Sequence, residues 1–251
     1  MGTVVLGTGS YLPEKILTNV DLESIVDTDA EWIRTRTGIE SRRISGKGEQ
    51  TCYLASEAAK KALEAAGVSA DEIGLIVVGT ISSHMLMPSS ACFVQKEIGA
   101  RNAFAYDLNA ACAGFLYGLD LADKYIQADH SMKVLIIGAE ALSGRLDWQD
   151  RNTCFLFGDG AGAAVLGYSE GERGIVGSKL QSDGNFWELL HMHAPVSSNP
   201  DLIVEGNKGA YIQMAGGEVF KHAVRAMQDA VLTLLEREQV DLDSINLDIP
   251  H

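Results

Sequence analysis

Among the side chains of this 251-residue sequence that could do covalent chemistry, the best placed is the thiol of Cys112, in the stretch FAYDLNAACAGFLYGLD at 104–120. Phe104, Ala105 and Tyr106 form an apolar, β-prone run, and the Ala-rich segment after Asn109 has the composition of a helix start. A thiol at such a junction lies near the positive end of a helix. There the macrodipole and the unpaired backbone N–H groups favour the thiolate, the form that attacks carbonyl carbon. The competing reading is a structural thiol, because free cysteine is among the most buried residue types.

Trp32 and Arg36 stand four residues apart in DAEWIRTRTG; on a helix they share one face, an aromatic ring and a guanidinium suited to an adenine or a phosphate. A packed tryptophan beside a solvated arginine is the alternative. The glycines Gly158, Gly160 and Gly162 of FGDGAGAAVLG lack the Lys-Ser/Thr of a phosphate loop and read as a tight turn between two buried strands. His191 and His193 have no carboxylate or thiol at ligand spacing, so no metal is expected. Cys52, Cys92, Cys112 and Cys154 are spaced too widely for a metal motif or a disulfide framework and read as separate reduced thiols.

The elements that must position these groups alternate between strand and helix. The pattern predicts strands over 4–6, 74–79, 104–106, 132–138, 154–157 and 163–167, with the GTGSYLP segment as a turn after the first. Helices are predicted from Thr18-Asn19, over 52–66 and over 89–98, with 29–38 left open as a possible helix. The 52–66 helix carries Leu54, Ala58, Ala59, Ala62, Leu63 and Ala66 on one stripe and stops at Gly67. This is an α/β fold in layers. A formal charge of −14 argues against a nucleic-acid surface. With no basic leader and no apolar run of about 18 residues, neither secretion nor membrane spanning is expected, and the default address is the cytoplasm.

The sequence also repeats. Laying Glu64 over Glu236 matches Val68, Asp71, Ile73 and Leu75 with Val240, Asp243, Ile245 and Leu247, each after a helix, the second over 218–238. This predicts two related halves, 1–170 carrying the thiol and 171–251, with the second unfinished at a predicted buried strand.

Six motifs in order, GTGSYLPE, DAEWIRTRTGI, DLNAACAGFLYGL, FGDGAGAAVL, MAGGEVFK and IPH, resemble the thiolase-fold ketosynthases, and within them the initiating β-ketoacyl-acyl-carrier-protein synthase III family. The resemblance covers the whole chain. It implies an acyltransferase that joins an acyl-coenzyme A primer to malonyl-acyl carrier protein as a homodimer, with no cofactor beyond the coenzyme A thioester. It implies that Cys112 is the nucleophile and His251 a catalytic histidine; that Trp32, Arg36 and Arg151 meet the nucleotide of coenzyme A; and that Met214, Gly216 and Phe220 line the pantetheine tunnel. Met87, Leu142, Phe157 and Leu190 would form the acyl pocket, Met87 reaching it from the second copy. Lys221 and Arg225 would dock the acidic carrier protein, with a solvated helix face as the alternative for Arg225. Asn152, Gly217 and Met87 depart from the family's usual residues, and a methionine at 87 is expected to admit primers longer than acetyl. The family's catalytic asparagine and a late glycine-rich segment lie beyond the IPH motif, so the chain as written is expected to be truncated and inactive in condensation. Two other readings are a starter enzyme of a secondary-metabolite pathway and a protein that binds coenzyme A or carrier protein without turnover.

Overall fold

In the computed structural model the described residues are 2–171, 173–204, 206–207 and 209–250. They form two compact units, one of residues 1–144 with 155–175 and the other of 145–154 with 176–251.

The first unit is built on a five-stranded sheet of β1 (Gly2–Tyr11), β7 (Asp159–Ser169), β6 (Lys133–Ala141), β4 (Ile73–Gly79) and β5 (Phe104–Leu108), in that spatial order. β4 is parallel to both β5 and β6, whereas β7 is antiparallel to β6 and β1. Alternation along the strands divides the core in two. Ile76, Val78, Leu135 and Ile137 point to one face, under α3 (Thr51–Ala66) and α4 (Ser90–Ile98). Leu75, Val77, Val134 and Ile136 point to the other, under α5 (Gly114–Ala128). Fully buried on both faces, as a parallel centre requires, each such side chain contributes about 1.5–3 kcal/mol. A ribbon of β2 (Ile16–Thr18) and β3 (Ser41–Arg43) frames the short helices α1 (Asn19–Glu23) and α2 (Ala30–Thr37). Thr18 and Asp21 close a capping box on α1, and Asp29 accepts the Trp32 N–H at 2.8 Å to start α2. Left-handed Gly38 and Gly67 end α2 and α3.

Three local expectations are corrected. β1 runs through GTGSY instead of turning there, because Gly7 and Gly9 press against the backbone of α3: a Cβ on Gly7 would strike Ala66 and one on Gly9 would strike Ala58. Residues 154–157 form turns, and the glycine-rich segment is the beginning of the single strand β7. There Gly138 faces Gly162 across the ladder, and a Cβ on Gly160 would come within 2.9 Å of Leu12. At Gly7, Gly9 and Gly160 glycine marks close approach to another element and not a change of chain direction.

The second unit holds the ribbon of β8 (Leu190–Met192) and β9 (Ile212–Met214) and the long helix α6 (Gly216–Glu238). The repeat leads to a strand at 245–247, but Ile245, Leu247 and Ile249 are exposed and belong to no strand. A strand exists only by pairing, and no neighbour pairs with this segment among the described residues.

The thiol-bearing junction depends on how closely α5 lies on the sheet. Gly114, Gly118 and Ala122 form its buried stripe; a Cβ on Gly79 would sit 2.9 Å from the Gly114 carbonyl carbon, and one on Gly118 would sit 2.7 Å from Ile136 Cγ2. Gly79→Ala meets backbone that cannot rotate away and is expected to lose about 1–3 kcal/mol of stability in urea unfolding. Gly162→Ala, whose Cβ meets nothing within 4 Å, is the control and should stay within about 0.5 kcal/mol of wild type.

Candidate active site

β5 ends at Leu108, and the chain turns through a 3-10 segment, Ala111–Ala113, into α5. Helix therefore begins at Gly114, two residues later than Cys112, and the thiol stands just ahead of the helix end. Ala111 holds a left-handed φ of 45°, a strained conformation for a residue with a Cβ, and this lifts the next residue outward. Cys112 is exposed, which removes the competing reading of a buried structural thiol.

Its electrostatics differ from the expectation of a resting thiolate. Desolvation by the protein around the sulfur, followed by the Glu140 carboxylate, pushes the thiol above its ordinary value; the backbone N–H of Cys112 pulls the other way and is outweighed. The thiol is exposed as a residue but crowded enough for desolvation to lead.

Glu140, near the end of β6, is the site residue that sequence reasoning misses. Burial raises its carboxyl, opposed by donors from the loop after β4: Ile81 N at 2.9 Å, Thr80 Oγ1 at 3.3 Å and the Ser82 hydroxyl in a very short hydrogen bond. Ser82 Oγ in turn accepts the Ala141 N–H at 2.8 Å, and Thr51 Oγ1 donates to the Ser82 carbonyl at 2.7 Å. A carboxylate closing an otherwise apolar run, KVLIIGAE, is the signal that marks it. Asp107 plays a matching part from the end of β5, accepting the N–H groups of Ser90 and Ala91 at 2.7 and 2.8 Å to cap α4.

The residues predicted for binding fall into two groups, one in each unit. In the first, Trp32 is half-buried on α2 with the Arg36 guanidinium 5.8 Å from its ring centre and the Phe155 ring edge-on at 5.4 Å. Met87 is 85% exposed in an apolar loop with Met85 and Leu86. Leu142 precedes Ser143 and Phe157 lies two residues before Asp159, whose carboxylate takes hydrogen bonds from Ser143 N, Ser143 Oγ and Ser45 N at 2.6–2.8 Å and so ties their two segments together. In the second unit Arg151 is exposed in a turn, and Leu190 faces Met214 across the β8–β9 ladder. Gly216 leaves room for the Met214 methyl, Phe220 is exposed on α6, and Lys221 pairs with Glu218 at 2.8 Å beside exposed Arg225. His251 lies outside the described residues. No helix of the described residues is long and apolar enough to cross a membrane.

A family model described as 3-oxoacyl-[acyl-carrier-protein (ACP)] synthase III matches residues 106–184, the segment holding Cys112 and Glu140. A β-ketoacyl-[acyl-carrier-protein] synthase III of Desulfotalea psychrophila is 59% identical over 251 residues, covering 100% of this chain and 78% of the relative. The chain belongs to the β-ketoacyl-[acyl-carrier-protein] synthase III family. The crystal structure of the synthase III from Aquifex aeolicus superposes with a TM-score of 0.89 at 45% identity, over 98% of this chain and 75% of that one. The priming β-ketosynthase of the R1128 polyketide biosynthetic pathway follows at a TM-score of 0.82 and 37% identity, over 91% and 68%. These neighbours make the fold of the chain the thiolase fold of the synthase III enzymes, a family of acyltransferases.

A protonated resting thiol has a measurable signature. Alkylation of Cys112 by iodoacetamide is expected to be slow near neutral pH and to climb through and above the ordinary thiol range. Glu140→Gln removes the negative charge, lowers the thiol pKa and is expected to speed alkylation at about pH 8 by about threefold or more. Mass spectrometry of the Cys112 peptide gives the rate, and a rate equal to or below wild type contradicts the role given to Glu140.

Proposed function

We propose that Cys112 takes an acyl group, acetyl as the simplest, from coenzyme A and transfers it to malonyl carried on acyl carrier protein, the condensation that starts fatty-acid synthesis. The observation that carries this reading is an exposed cysteine at the strained entry to α5 in a synthase III chain. Identity of 59% to the synthase III of Desulfotalea psychrophila, against 37% for the polyketide priming enzyme, supports this substrate pair over a secondary-metabolite one.

In the first step Sγ of Cys112 bonds to the thioester carbonyl carbon, the bond to the sulfur of coenzyme A breaks, and that sulfur leaves with the proton Cys112 gave up. One thioester replaces another, so the site has to position and stabilise an oxyanion more than supply a strong base. A Cys112 thiol held above its ordinary pKa matches this demand: the proton is handed over in the act of transfer and is not lost beforehand. In the second step malonyl loses carbon dioxide, its bonding electrons pass into a thioester enolate, and His251 donates a hydrogen bond to the enolate oxygen. The enolate carbon then attacks the acyl-cysteine, Cys112 leaves as thiolate, and a 3-ketoacyl thioester remains on the carrier. The Cys112 thiolate then takes a proton from solvent to restore the resting thiol, so each turnover consumes one proton and needs no further cofactor.

In this reading Trp32, Arg36 and Arg151 hold the nucleotide of coenzyme A, and Met214, Gly216 and Phe220 the pantetheine arm. Leu142, Phe157 and Leu190 form the acyl pocket together with Met87 from a second copy in a cytoplasmic homodimer. Lys221 and Arg225 meet the acidic carrier protein.

Incubation with radiolabelled acetyl-coenzyme A followed by digestion is expected to label the Cys112 peptide, and Cys112→Ser to abolish the label. Tight binding of coenzyme A with no labelled peptide would falsify acyl transfer. Met87→Phe should cut labelling from butyryl-coenzyme A several-fold relative to acetyl; an unchanged ratio argues against Met87 as the chain-length residue.

A further inference from the structure

The Trp32 ring is steadied from two directions, and both lead to one buried arginine. Arg42 on β3 is 6% exposed, as is Asn19 at the start of α1. The Arg42 guanidinium donates from Nη1 and Nη2 to Asn19 Oδ1, each at 3.0 Å, from Nη2 to the Phe155 carbonyl at 2.7 Å and from Nη1 to the Leu17 carbonyl at 3.3 Å.

The first direction runs through Asn19. Its Nδ2 donates to the Ile39 carbonyl at 2.7 Å and to the Ala30 carbonyl at 3.4 Å, so one amide reaches both ends of α2, the helix that carries Trp32. The second runs through Phe155, whose carbonyl is held by Arg42 and whose ring stands edge-on to the indole at an interplanar angle of 87°. Behind it, a Cβ on Gly158 would lie 3.0 Å from Arg42 Cβ, so the chain leaving Phe155 is laid tightly over the arginine stem. Helix α2 and the Phe155 segment are distant in sequence, and the guanidinium fork joins them. A lysine ammonium has the charge but not the planar set of donors that reaches an amide oxygen and a carbonyl together.

We propose that Arg42 is a positioning residue for the adenine end of coenzyme A: by holding Asn19 and the Phe155 carbonyl at once, it sets the Trp32–Phe155 contact and the attitude of the indole that receives the base. The inference rests on the reading of Trp32 as the adenine-stacking residue, and the experiment separates the two.

Calorimetric titrations with coenzyme A and with pantetheine, which lacks the nucleotide, are carried out on wild type, Trp32→Ala, Arg42→Lys, Phe155→Leu and the Arg42→Lys/Phe155→Leu double variant. Arg42→Lys is expected to weaken coenzyme A about tenfold, about 1.4 kcal/mol, and to leave pantetheine unchanged. The double variant should bind coenzyme A no more weakly than Arg42→Lys alone, because both changes break one linkage. Equal weakening of both ligands by Arg42→Lys, or additive effects in the double variant, overturns the proposal and leaves Arg42 a purely structural residue. If Trp32→Ala leaves the advantage of coenzyme A over pantetheine intact, the adenine reading itself fails. If Trp32→Ala removes that advantage while Arg42→Lys keeps it, the role of Arg42 alone fails. Should Arg42→Lys not fold, Asn19→Ser breaks the same hub from its other side and is expected to weaken coenzyme A selectively; unchanged binding overturns the proposal.

Discussion

The backbone of Gly114 rests on the backbone of Gly79, and the placement of the thiol follows from that contact. Helix α5 can start directly over the end of β4 only because neither residue has a side chain at the meeting point. With its start fixed there, the helix buries Gly114, Gly118, Ala122 and Ile126 against the sheet, and the turn from β5 has few residues in which to connect. A tight connection of this kind pushes Ala111 into a left-handed conformation and Cys112 out of the packed layer. A stiff, close-packed interior is needed to sustain local strain of this sort.

Around that junction, carboxylates at strand ends act as fasteners. Asp107 caps α4 from β5, Glu140 gathers the loop after β4, and Asp159 joins the segments around Ser45 and Ser143. Each is satisfied by donors from a different loop, so the loops at this end of the sheet are held by converging hydrogen bonds that remain strong in a weakly polarisable setting. Glu140 also reaches the Cys112 thiol through space. It opposes ionisation of a thiol that the helix end would otherwise favour.

Local patterns revealed much of this. The caps at Asp29 and Thr18, the stripe of α3 and its glycine stop, the apolar run of β4 and the strand before Cys112 are all encoded within a few residues of where they act. Glycines misled the reading of β1 and β7, because the same residue type permits a turn and permits two backbones to touch, and only the partner tells which. Partners also explain what was missed. Glu140 binds residues nearly 60 positions earlier, and Arg42 holds a carbonyl 113 positions later. Long-range polar contacts of that kind leave no periodic trace. The segment at 245–247 shows the converse, a strand-like sequence that is irregular and has no pairing neighbour among the described residues. The strand-to-helix setting of the thiol was legible in the sequence, but its resting protonation was not, since that depends on a carboxylate brought in by folding.

The left-handed Ala111 also bears on how the chain can drift. Single-base changes in an alanine codon lead to valine, threonine, proline, serine, glycine and an acidic residue. Proline cannot adopt a positive φ, and the branched side chains of valine and threonine resist it most. Substitution beside Cys112 is thus steered towards glycine, serine and the acids, and an acid would bring a second negative charge next to the sulfur. The geometry of one peptide unit narrows the mutational neighbourhood of the Cys112 thiol before any selection on chemistry begins.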